Sequence, residues 1–117
     1  MSDLPDEPDE LDAEDAKLVT LARATRTRAR ARQGAAVRDL DGRTYAAASV
    51  DLAHLRLSAL EACVAMAVAS AAAGLEAAVV LTEDTEVDTA AVADLAGAGV
   101  PVLVGDPTGR LHTRRTT

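Results

Sequence analysis

The sequence predicts an α/β domain, a mixed sheet of four to five strands with three helices packed on it. Three observations carry that prediction. An Asp41-Gly42 pair separates two short apolar segments, the strongest local signal for a β-hairpin. From Leu55 to Ala73 the chain is almost wholly Leu, Ala, Val and Met, which marks a helix buried on most of its sides. Between Glu76 and Gly105 a β-branched segment, a helical segment and a second β-branched segment follow one another. That order makes a β-α-β unit with parallel strands.

The elements follow in chain order. Asp12, with Asp15 three residues on, starts a helix with acids in its first turn. Leu11, Leu18, Ala22, Thr25 and Ala29 recur near helical spacing, so this helix runs into the high twenties. The hairpin strands fall at 34–39 and 43–50, and the apolar helix at 55–73 closes on Gly74. Residues 76–82 read as a buried strand, and Asp88 caps a third helix that Gly97 and Gly99 end. Pro101–Gly105 is a fourth strand. Asp106-Pro107-Thr108-Gly109 is a tight-turn tetrapeptide, so residues 111–114 return antiparallel as a fifth.

Composition bounds what such a domain does. The chain has 117 residues and a net charge of −7, one domain's worth of sequence. Eight of the 19 acids lie in residues 1–16, leaving 11 acids against 12 bases in the rest. Residues 1–11 read as an acidic disordered tail and 12–117 as a single domain. No secretory signal pattern and no long uncharged apolar run is present, so a cytoplasmic protein without a membrane span is expected. Alanine supplies 27 of the 57 apolar residues, and Tyr45 is the only aromatic one. Burying Ala removes little surface from water. A core this thin favours a second copy of the chain, and a homo-oligomer is expected.

Several strings resemble the small homo-oligomeric cytidine deaminases, over about residues 12–112. Gly34-Ala35-Ala36-Val37 is similar to that family's Gly-Ala-Ala opening of its first strand. Tyr45 to Ala65 lies without a gap on its second strand, loop and catalytic helix. Ser49-Val50-Asp51 then falls on the Asn-x-Glu that holds the ribose, and Gly105-Asp106 to Gly109 on a late strand and turn. The resemblance implies a three-layer cytidine deaminase-like fold. It also implies a zinc hydrolase, which needs three Cys or His ligands and a proton-shuttling carboxylate.

The residues depart from that chemistry. Leu60-Glu61-Ala62 stand at the family's Cys-Ala-Glu, Thr89 and Val92 at its two later cysteines, and Asp88 at its proline. Leu and Val have no lone pair for a metal, and Thr is a poor substitute for thiolate. Moving the register to make Glu61 the acid puts Ala59 at the ligand; moving it to make Cys63 the ligand puts Ala65 at the acid. Ala31-Arg32-Gln33 replaces a Phe-containing lead-in to the first strand. No metal ligand and no catalytic residue is therefore assigned, and zinc is expected to be absent. Cys63, His54 and His112 have no ligand spacing.

The remaining candidates are few. Ser49, Asp51 and Tyr45 are candidate relics of a nucleoside site. Glu61 is the one charge early in the apolar helix, and a buried or subunit-interface ion pair with Arg56 or Arg38 is expected. Arg26, Arg28, Arg30 and Arg32 alternate along the most basic part of the chain. An extended segment would put all four on one side, whereas a helix would scatter them. The functional expectation is a non-catalytic, oligomeric binding or interaction module with weak nucleoside binding and an unidentified protein partner. One alternative is a cytidine deaminase with an unrecognised metal site. Another is contact with RNA or phosphate through Arg26–Arg32, disfavoured by the net charge. The acidic tail reads as a solvating segment, and the alternative is that it folds back on those arginines.

Overall fold

The computed structural model of the protein describes residues 11–117. Residues 1–10, and with them the tail and the question of whether it meets the arginines, lie outside that range. Asp12 starts the first helix as its spacing predicts, its carboxylate accepting the Asp15 N–H at 2.8 Å. The helices are α1 (Ala13–Ala29), α2 (Ala59–Ala69) and α3 (Ala90–Ala96). The strands are β1 (Gly34–Asp39), β2 (Thr44–Ala48), β3 (Val50–Asp51), β4 (Arg56–Leu57), β5 (Leu75–Leu81), β6 (Pro101–Gly105) and β7 (Leu111–Thr116). Five of them form one mixed sheet in the order β2-β1-β5-β6-β7, while β3 and β4 pair separately. β5 and β6 are parallel, and β7 returns antiparallel on β6, as the sequence predicts.

All six residues of β1 are buried, because the strand has a neighbour on each side and helices on both faces. Successive side chains point to opposite faces. Ala35 and Val37 pack with Leu60, Cys63 and Val92 of α2 and α3, whereas Ala36 packs with Leu18 and Ala22 of α1. The result is three layers, with α1 on one side of the sheet and α2 and α3 on the other. Small residues let these layers approach closely. A Cβ on Gly34 would stand 2.3 Å from the Ala22 carbonyl oxygen and 2.6 Å from the Arg26 Cβ, so α1 crosses directly over this glycine. Arg38 fastens the same layer at the other end, bonded to Glu76 on β5 and, at 3.0 Å, to Asp15 on α1.

The hairpin between β1 and β2 turns at Gly42, whose φ of 85° favours glycine. Asp39 organises it, accepting from the Asp41 and Arg43 N–H groups and from the Tyr45 hydroxyl, each at 2.9 Å.

Three expectations need correction. Thr89 and not Asp88 is the N-cap residue of α3, and Asp88, one residue earlier, accepts the Ala90 N–H at 2.9 Å. The apolar helix spans Ala59–Ala69 and not 55–73, because Arg56 and Leu57 pair as a strand with Val50 and Asp51. Ser58 then starts the helix with a reciprocal capping box. Its hydroxyl accepts the Glu61 N–H at 3.1 Å, and the Glu61 carboxylate accepts the Ser58 N–H at 2.8 Å. Glu61 is consequently an exposed cap and makes no ion pair with Arg56 or Arg38 inside the protomer. A carboxylate at the positive end of its own helix already has its partners. Two apolar residues of α2 also stay open, Met66 42% and Val68 55% exposed. Among the described residues no helix is long and apolar enough to cross a membrane.

Candidate functional site

The start of β1, the end of β2, the N-terminus of α2 and the end of β5 meet at one end of the sheet. Gln33, just before β1, joins all four. Its backbone exchanges two hydrogen bonds with Ser49, donating to the Ser49 hydroxyl and accepting the Ser49 N–H, both at 3.0 Å. Its side-chain oxygen accepts the N–H of Ala59, the first residue of α2, at 3.1 Å. Its side-chain nitrogen donates to Asp84 at 3.0 Å and to the Thr82 hydroxyl at 3.4 Å. The first N–H groups of a helix have no intrahelical acceptor, so the Gln33 oxygen satisfies one that would otherwise be buried and unpaired.

Asp84 extends this network outward, taking the Arg32 guanidinium at 2.7 Å. Beyond it lies an open groove of about 240 Å³, with Arg26, Arg30 and Arg32 on one side and Thr82, Glu83 and Asp84 on the other. Arg30 ends α1 in the left-handed region, with φ of 53°. This turn carries the chain from the helix to the loop, and so brings three of the four arginines to one groove. Arg28 faces elsewhere.

The residues singled out from the sequence are not gathered into one pocket. Ser49 belongs to the Gln33 network. Asp51 is exposed and pairs with Arg56 at 3.2 Å across the β3–β4 ribbon, so the partner of Arg56 is Asp51 and not Glu61. Tyr45 is 9% exposed and packs in the same core as Cys63, four residues and about 13 Å down the strand from Ser49. Its hydroxyl is committed to Asp39, so it does not present a ring for a nucleobase. Burial raises the Asp39 pKa, but the Arg43 N–H, the Tyr45 hydroxyl, the Asp41 N–H and the Arg43 charge overcome it, and the carboxyl lies below its usual range. Gln33, Thr82 and Asp84 are not among the residues the sequence singles out. The signal for Gln33 was a lone amide at the mouth of an apolar strand, with hydrogen-bonding groups to satisfy on burial.

A family model described as cytidine deaminase-like matches residues 11–109. The chain belongs to the cytidine deaminase-like family. Two solved structures share its fold. A cytidine deaminase from Burkholderia pseudomallei superposes with a TM-score of 0.70 at 21% identity, covering 86% of this chain and 89% of that one. A cytidine deaminase from Mycobacterium leprae gives 0.65 at 19% identity, covering 90% and 94%. A comparison with curated proteins finds no match.

The family implies a zinc ion, and the residues present do not fit one. Leu60 and Val92, at two ligand positions of the resemblance, are 2% and 0% exposed and pack in the apolar core. Thr89 is the N-cap residue of α3. Ala62, at the position of the acid, is buried in the same core. The one thiol, Cys63, lies in the same core as Tyr45, and burial pushes its pKa up to about 12. A thiol that resists ionisation is a poor metal ligand.

Proposed function

We propose that this protein is a non-catalytic member of the cytidine deaminase-like family, a small cytoplasmic homo-oligomeric module that retains weak nucleoside binding. The observation that carries the reading is the packing of Leu60 and Val92. Two of the three positions that would hold a metal are filled by side chains of the hydrophobic core, and ligands restored there would be polar groups buried in that core. The polar end of the sheet survives around Gln33, but both atoms of its amide are spent on internal hydrogen bonds. This leaves Ser49 and the backbone to meet a ligand, and supports weak binding. Oligomer formation rests on the exposed apolar residues Met66 and Val68 of α2 and Leu52 and Leu55 of the β3–β4 ribbon.

The test incubates purified protein with cytidine and added zinc, follows uridine by chromatography, and measures zinc per chain and native mass. The expected result is no uridine above the blank, substoichiometric zinc and a mass above the 12.0 kDa of one chain. Turnover of cytidine would overturn the reading and restore the enzyme.

A further inference from the structure

We propose that the groove between the end of α1 and the 82–84 segment is a phosphate subsite, taking the phosphate of a nucleoside monophosphate. The inference deepens the preceding reading and rests on it for the nucleoside part of the ligand. Arg26 and Arg30 stand one helical turn apart on α1, and Arg32 follows two residues later. All three line one groove.

Their partners are unevenly distributed. Arg32 has Asp84, which also accepts from Gln33, so this carboxylate is already committed. Arg26 and Arg30 have no carboxylate partner among the described residues, and the Arg26 Nε is buried without an acceptor. A cation at a helix C-terminus gains from the helix dipole wherever it points. That accounts for Arg28, and it does not account for two guanidinium groups, unpaired among the described residues, lining one cleft. Guanidinium forks match phosphate oxygens in geometry and charge.

Size selects the ligand class. Whole small-molecule sites enclose roughly 300–1,000 Å³. A groove of about 240 Å³ suits a charged group with part of a sugar. The Arg32–Asp84–Gln33 chain of bonds leads from the groove to Ser49 and the start of α2. A nucleotide with its phosphate on Arg26 and Arg30 has its nucleoside directed along that path.

The experiment records amide NMR spectra of the full chain titrated with cytidine, with cytidine monophosphate and with inorganic phosphate. The expected result is shifts at residues 26–32 and 82–84 with both phosphates, and at least tenfold tighter binding of the nucleotide than of the nucleoside. Arg26→Gln with Arg30→Gln removes that gain and leaves the weak nucleoside shifts unchanged. Arg30→Gln alone, at an exposed position, weakens nucleotide binding without a folding risk. Arg28→Gln has no effect. Equal binding of nucleoside and nucleotide overturns the subsite while leaving the nucleoside reading intact. Phosphate-dependent shifts without any nucleoside shift support the subsite and sink the nucleoside reading. A short single-stranded RNA that binds more tightly than the nucleotide and depends on Arg28 overturns the small-ligand assignment.

Discussion

Gln33→Ala is the substitution that tests the site architecture most directly. It removes the acceptor 3.1 Å from the Ala59 N–H and the donor 3.0 Å from Asp84. Ala59 is fully buried, so its N–H finds no water, and leaving such a donor unpaired costs about 1–3 kcal/mol. The bond to Asp84 adds about 1 kcal/mol, below the usual range for a charged acceptor, because Asp84 keeps Arg32 and is partly exposed. The expected loss is therefore about 2–4 kcal/mol, or about 8–16 °C in Tm for a domain of this size. Urea and thermal unfolding at one fixed protein concentration measure it, the fixed concentration removing any mass-action shift from assembly. Gln33→Glu is the control. It keeps an acceptor for Ala59 but sets a carboxylate against Asp84, so part of its stability returns as pH falls and one carboxyl protonates. A loss below about 1 kcal/mol in Gln33→Ala would refute the reasoning, since the Ala59 N–H would then have another acceptor.

Three further outcomes are expected. Gly34→Ala drives a methyl group into the Ala22 carbonyl and the Arg26 Cβ, and costs about 1–3 kcal/mol or more in urea unfolding; a neutral result would mean that α1 does not cross there. Glu61→Ala loses one half of the capping box and lowers stability by about 0.5–2 kcal/mol. Ligand affinity stays unchanged in that variant, and a change in affinity would return Glu61 to the binding site. The Asp39 carboxyl is lowered from 3.8 in the fold, so its stabilisation is complete above about pH 4 and is lost as pH falls through the folded value. Asp39→Asn should therefore flatten the fall in urea midpoint below about pH 4, and parallel curves for both proteins would contradict that linkage.

The exposure of apolar residues on α2 bears on the same thin core. Alanines at positions 59, 62 and 67 are buried in the core that includes β1 and β2, but Met66 and Val68 remain about half uncovered in the protomer. In a chain whose fully buried side chains are no larger than leucine, each uncovered apolar residue is a large share of the available burial. The expectation of assembly thus rests on the packing as well as on composition.

Local chemistry was enough to fix most elements from the sequence. Asp12, Asp41-Gly42, the β-branched runs and Gly97 act within a few residues of themselves, through caps, turns and strand propensity, and each stands where its spacing predicts. The loss of the metal-ligating residue types was equally legible, because a leucine or a valine lacks a donor atom in any fold. Contacts between distant segments were not. Glu61 looks like a buried charge until Arg56 and Leu57 pair as a strand and move the helix start to Ser58. Tyr45 looks like a possible stacking ring until the hairpin commits its hydroxyl to Asp39. Gln33 carries no periodic signal at all, and its role exists only because 26 residues of chain bring the Ala59 N–H back to it and about 50 bring Thr82 and Asp84. The alternation of the arginines predicted one face only for an extended segment, and tertiary structure reached a similar end differently. A helix of that length ending in a left-handed turn at Arg30 brings Arg26, Arg30 and Arg32 together and leaves Arg28 out. Burial and hydrogen-bond satisfaction are properties of the whole fold, and those decided which side chains remain free to bind.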